Sequence, residues 1–140
     1  MNNHSNPHLK KAQRNEQLSE QDTAFDWKIT KLFYAALHYL HALAYFKNQN
    51  REPNQKEINI GQTHEEVEKN VNPNAAYPIM PIKRYTWDAY KNLKNYSRSA
   101  RYDSIMDMEV YETQQFSNYQ DALKCYDKFK QYIENSINTK

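Results

Sequence analysis

Between residues 82 and 102 the chain carries six basic side chains and a single acidic one, Asp88. At about 100° per residue on a helix, Lys83, Lys91, Lys94, Arg98 and Arg101 project to one side, opposite Leu93 and Ala100. Trp87 falls among them, and Arg84, Tyr90 and Tyr102 flank them. Cations in such a row neutralise phosphates, and an interleaved aromatic ring stacks on a base. The nucleic-acid-binding set this spacing suggests is Lys91, Lys94, Arg98, Arg101 and Tyr102, with His64 at its edge. A solvated charged face, with its aromatics packed on neighbours or on a second subunit, gives the same pattern. Arg101 and Tyr102 also admit a structural role, because an arginine there can bridge to the acidic residues that follow.

Of the histidines, His38 stands out. An imidazole with an ordinary pKa near ~6.5 can act as acid or base near neutrality, or simply donate to a backbone carbonyl inside a helical bundle. His41 lies one turn further on and reads as an exposed helix residue. Two histidines three apart can hold a metal, but no carboxylate or cysteine shares their face nearby in sequence, so no metal site is expected. His64 is expected to pair with Glu65 or Glu66, or only to open a helix. Cys125 lies off the apolar stripe of its helix with no patterned histidine or aspartate, which argues against a nucleophile. One glycine in the whole chain excludes a glycine-rich phosphate loop, and neither H-E-x-x-H nor C-x-x-C occurs. No cofactor is implied.

These side chains need a scaffold, and composition narrows it. The 140 residues suffice for one domain with one core. With one Gly and 5 Pro there are few turn residues for a hairpin-rich β fold, which favours long helices. The 12 Tyr are amphipathic and suit the edge of a core or an interface. A net charge of +2 is too mild to imply nucleic acid alone. A lone cysteine fits a reducing compartment. No apolar run approaches the ~20 residues of a membrane span, and the first twenty residues contain no signal-peptide core, so a cytoplasmic location away from membranes is expected.

Along the chain, residues 1–6 read as loose, and a helix is expected from about Pro7 to Gln21, with Pro7 in its first turn. The strongest element starts near Asp22 or Thr23 and runs to about Lys47. Its sequence FDWKITKLFYAALHYLHALAYF is apolar on most of its circumference, as a central bundle helix should be. Its one polar, aromatic stripe is Lys31, Tyr34, His38, His41 and Tyr45, facing water or a site. Residues 48–62 read as a loop, and Thr63-x-x-Glu66 as a capping box opening a short helix. Three prolines break residues 72–81. A helix from about Ile82 to Tyr102 follows, then an acidic connector over 103–116. A second capping box at Ser117-x-x-Gln120 opens a last helix to about Ile137. Its stripe is Tyr119, Ala122, Leu123, Tyr126, Phe129, Ile133 and Ile137. The reading is a single all-α domain over 1–140, a bundle of four main helices and one short one.

Three pieces in this order resemble the HEPN superfamily: DWKITKLFYAALHYLHAL with its FYAALH core, the His of THEEVEKNV after a variable loop, and YKNLKNYSRSARYD with its SR-x-ARY signature. The resemblance covers roughly residues 8–136. It implies an α-helical bundle, often dimeric, linked to RNA or nucleotides. Many members are metal-independent ribonucleases of toxin–antitoxin or other defence systems, and others are non-catalytic partners. Active members usually carry an R-x4–6-H motif, from which this chain departs: no arginine precedes His4, His8, His38, His41 or His64 by five to seven positions.

The expectation is therefore a HEPN-like RNA- or nucleotide-binding protein without the usual ribonuclease motif, forming a homodimer. Two alternatives stay open. One is an active, metal-independent endoribonuclease with His38 as acid/base and Arg98 or Arg101 stabilising charge on the scissile phosphate. The other is an interaction protein whose partner is a cognate antitoxin or a small nucleotidyltransferase.

Overall fold

The computed structural model describes residues 6–102 and 108–138; the side chains of Arg101, Tyr102 and Met108 lie outside that description. The chain is all-helical: α1 (Pro7–Gln21), α2 (Phe25–Gln49), α3 (His64–Val71), α4 (Arg84–Tyr102) and α5 (Met108–Asn138). α2 is central and packs against α1, α4 and α5, while α4 also packs on α5. That position follows from its composition. Ile29, Leu32, Phe33, Ala35, Ala36, Tyr39, Leu40, Ala42 and Leu43 are all buried and wrap most of the helix. Leu37, by contrast, is only partly buried at the edge of the core.

α1 and α2 form an antiparallel hairpin fastened at both ends. Asn6 Nδ2 donates to the Ala42 carbonyl at 3.0 Å. Ser19 Oγ donates to the Lys28 carbonyl at 2.8 Å. Asn6, expected to be loose, is thus buried, and its side-chain oxygen also caps α1 by accepting from the backbone N–H groups of His8 and Leu9. Near the short α1–α2 turn, Lys31 is ion-paired with Asp22.

The capping box before α3 forms as its spacing predicts: Thr63 accepts from the Glu66 N–H, and the Glu66 side chain returns to the Thr63 backbone. That fold-back leaves no room beside Gly61, whose φ is +100°; a Cβ there would sit 2.5 Å from Glu66 Cβ. Residues 72–81 form no helix, but they are pinned, with Met80 N–H donating to Asn70 O at 2.8 Å and Ile82 N–H to Val71 O at 3.0 Å.

The last helix departs from expectation. Ser117 does not open it, and the residues read as an acidic connector are helical from Met108 onward, giving a helix of 31 residues, about 46 Å long. Tertiary contacts hold the additional turns. Gln115 is buried, Tyr111 Oη donates to the Ala100 carbonyl at 2.7 Å, and the rings of Phe116 and Phe25 meet at 5.1 Å. The remainder of the connector, residues 103–107, lies outside the described residues.

Among the described residues no helix is long and apolar enough to cross a membrane.

Candidate nucleic-acid interface

α4 separates its two faces sharply. Trp87, Ala89, Tyr90, Leu93 and Ala100 are buried. Arg84, Asp88, Lys91, Asn95 and Arg98 are exposed, and their alternating spacing of four and three residues makes one continuous solvent stripe. Arg84, Lys91 and Arg98 recur every two turns, about 10.5 Å apart along the axis. The one carboxylate in the stripe, Asp88, sits 3.5 Å from Arg84 Nε as a solvent-exposed pair of small energetic weight. Among the described residues neither Lys91 nor Arg98 has a carboxylate partner, so both cations are available to an anion. Lys83, just before α4, is exposed as well.

Two members of the expected set have other duties. Trp87 is 5 % exposed and stacks on Tyr90 at 5.7 Å, so it belongs to the core and offers no face to a base. Lys94 is half-buried, and its Nζ lies 2.7 Å from Glu68 Oε1 on α3. The same Glu68 meets His64 Nδ1 through its other oxygen at 3.4 Å. His64 therefore pairs one turn along α3, with neither Glu65 nor Glu66, and its ring lies edge-on to Phe33 at 6.4 Å. The His64–Glu68–Lys94 chain fastens α3 to α4. The side chains of Arg101 and Tyr102 lie outside the described residues.

His38 sits elsewhere. It is about 140° around α2 from Phe33, the residue that packs on Tyr90 of α4. Its neighbours belong to the α1–α2 seam, while Arg98 is exposed on α4, and among the described residues no contact joins the two. The seam instead gathers three imidazoles. His8 stacks on His41 at 5.4 Å, and its ring is edge-on to Tyr45 at 6.0 Å. Burial, then the Lys11 charge, then His8, hold His38 below the usual histidine range. Burial and the neighbouring cations lower His8 and His41 in the same sense. His41 is thus half-buried, not a free surface residue. Among the described residues no three histidine, cysteine or acidic side chains are placed to hold a metal. Cys125 is half-buried, and burial raises its thiol above the ordinary range, which keeps it protonated.

Three features of the molecule escape a reading by periodicity: the contribution of His8 to the seam, the buried Gln115, and Glu16, which accepts from Tyr126 and Lys130 of α5. The i, i+3 spacing of Ala12 and Glu16 relative to Leu9 and Ser19 is the only local signal for the last. No family model matches the chain, and comparison with curated proteins and with solved structures finds no similar protein.

Proposed function

We propose that this chain is a HEPN-like RNA- or nucleotide-binding domain of a toxin–antitoxin or defence system, which grips phosphates with the solvent stripe of α4 and does not cleave them. The observation that carries the reading is the pair Lys91 and Arg98, exposed on one stripe with no carboxylate partner among the described residues. Cations held apart from acids bind phosphates without first breaking an ion pair. The FYAALH and SR-x-ARY pieces support the same reading through resemblance. The separation of His38 from Arg98 supports binding over cleavage, because an acid/base must reach the group that stabilises the phosphate.

The test is the salt dependence of binding to a fluorescent single-stranded RNA. Each neutralised phosphate contributes a log–log slope of ~0.7 on single strands. The double variant Lys91→Gln, Arg98→Gln should lower the slope by about 1.4 and weaken binding across sequences alike. A slope unchanged by the double variant would sink the α4 interface. Cleavage of the RNA in a chelator, abolished by His38→Ala, would overturn the non-catalytic reading.

A specific observation favours a second reading, a protein-interaction module that forms a two-fold homodimer. Tyr77, Ile79 and Tyr85 stand out in solvent, Tyr77 at 91 % exposure. Apolar side chains so placed suit a partner surface. Light scattering should give twice the 16.8 kDa chain mass, falling to the monomer value in a Tyr77→Ser, Ile79→Ser variant.

A further inference from the structure

Where α2 ends, the chain turns back and borders a hollow of 460 Å³ against the last turn of that helix. Lys47, Arg51 and Lys56 line it with Asn50 and Gln55, over Phe46 and Ile58, and no carboxylate belongs to the lining. We propose that this hollow binds a compact diphosphate, free or as the end of a nucleotide. The site uses no residue of α4 and does not depend on the phosphate contacts proposed for that helix.

The three cations carry the inference. All are exposed, and among the described residues none has a carboxylate partner. The same stretch of chain contains Glu52 and Glu57, yet the fold sorts the signs. Lys56 lines this hollow, whereas Glu57 and Asn59 line a neighbouring one with His8 and His41, and Ile58 borders both. Glu52 lines neither. Like charges gathered at one hollow repel one another, and a bound anion relieves that cost. A phosphomonoester carries about −1.5 to −2 charges near neutrality, so one alone leaves the hollow positive and two linked phosphates balance it. An RNA strand spreads single charges along its length, which suits a stripe such as that of α4. A hollow suits charges gathered on one small group, and the planar fork of Arg51 can hold a phosphate through two parallel bonds.

The loop is held in shape by its own bonds. Asn48 Nδ2 donates to the Ile58 carbonyl at 2.8 Å, and Asn48 Oδ1 accepts from the Ile58 N–H at 2.7 Å. Within the span so closed, the Gln55 N–H donates to the Glu52 carbonyl at 3.0 Å, and Gln55 Oε1 accepts from the Glu52 N–H at 2.9 Å. The oxygen of that amide is occupied, which leaves its NH2 to donate to an anion. Carbonyls at the end of a helix repel an anion. Here the Phe46 carbonyl already accepts twice from Asn50, from its backbone N–H at 3.2 Å and from Nδ2 at 2.8 Å. A preformed hollow loses little affinity to ordering its own walls.

The experiment titrates the 15N-labelled full chain with pyrophosphate, orthophosphate, ADP and a 5′-hydroxyl single-stranded RNA at one salt concentration. Pyrophosphate should shift the backbone amides of residues 47–58 to saturation and bind at least about tenfold more tightly than orthophosphate, because each bond between charged groups adds to the last. Arg51→Gln with Lys56→Gln alters exposed loop side chains alone. It should weaken pyrophosphate by about tenfold or more and leave the salt slope for RNA at the parent value. Lys91→Gln with Arg98→Gln should leave the pyrophosphate affinity unchanged, so failure of the α4 interface and failure of this hollow are told apart. ADP binding as tightly as pyrophosphate would make a nucleotide the source of the diphosphate, and weaker ADP binding would make it the free anion. The proposal is overturned if pyrophosphate leaves these amides unshifted, if orthophosphate binds as tightly, or if the double loop variant binds pyrophosphate like the parent. It is also overturned if the RNA shifts these amides at a lower concentration than pyrophosphate and ADP do.

Discussion

Tyr126 of α5 donates its hydroxyl proton to Glu16 of α1 across 2.6 Å, joining residues 110 positions apart in the chain. Lys130, one turn further along α5, reaches the same oxygen at 2.7 Å. Burial first, then the bond to Glu16, push the Tyr126 hydroxyl far above its ordinary range, so it stays a donor at every physiological pH. Hydrogen bonds to charged groups contribute ~1.5–3 kcal/mol. Tyr126→Phe keeps the ring and removes the bond, and it should lower the unfolding free energy by about that amount in urea titrations. A midpoint equal to the parent's would mean that water replaces the hydroxyl at no cost.

The α1–α2 seam predicts a pH dependence. His8, His38 and His41 are all held below the usual histidine range, by burial first and then by Lys11 and by one another. Below the unfolded-state value of ~6.5 the unfolded chain therefore binds protons that the folded chain does not, and stability falls as pH falls through the folded values. The melting temperature should drop between pH 7.5 and 5.5, a window above most carboxylate titration. His8→Gln with His41→Gln should flatten that drop. A flat profile in the parent would show that the seam opens to solvent without cost.

Gly61 offers a local test. Its positive φ, together with the 2.5 Å approach of Glu66 Cβ to any added Cβ, leaves no strain-free conformation for alanine. Gly61→Ala should destabilise by more than ~1 kcal/mol. It should also increase amide hydrogen exchange in α3, because the capping box must move aside. Unchanged exchange at His64–Val71 would contradict the packing described.

Two leucines of α2 should behave differently. Leu40 is fully buried, and Leu37 packs only partly against the core. Leu40→Ala should cost ~2–5 kcal/mol, and Leu37→Ala distinctly less. Equal costs by chemical denaturation would require a different rotation of α2 about its axis.

The helices were legible where one residue type decides the outcome locally. Pro7 starts α1, Thr63 and Glu66 start α3, and the apolar circumference of α2 places it at the centre. The reading failed where distant contacts override local pattern. Ser117 has the spacing of a cap, yet Tyr111 bonds to Ala100 of α4, Phe116 meets Phe25 of α2 and Gln115 is buried, so the helix extends past it. On α4 a wheel places Trp87 beside the lysines, and packing on Tyr90 draws it inward. Lys94 and Lys91 look alike in sequence, and only the position of Glu68 on another helix tells them apart. His38 and Arg98 are reactive residue types, but whether they meet depends on which helix each faces, which periodicity does not encode.

The fastened hairpin of α1 and α2 also bears on the order in which the molecule assembles. Its bonds, Asn6 to Ala42 and Ser19 to Lys28, close over 36 and 9 residues, whereas the clasp of Glu16 by Tyr126 closes over 110. Short closures lose less chain entropy, so the hairpin can enter the transition state for folding before α5 docks. Ala12→Gly in the seam should then slow refolding, while Tyr126→Phe should chiefly accelerate unfolding. On that account α5 is the first helix to leave, and the route by which the domain comes apart is its detachment from a hairpin that is still intact.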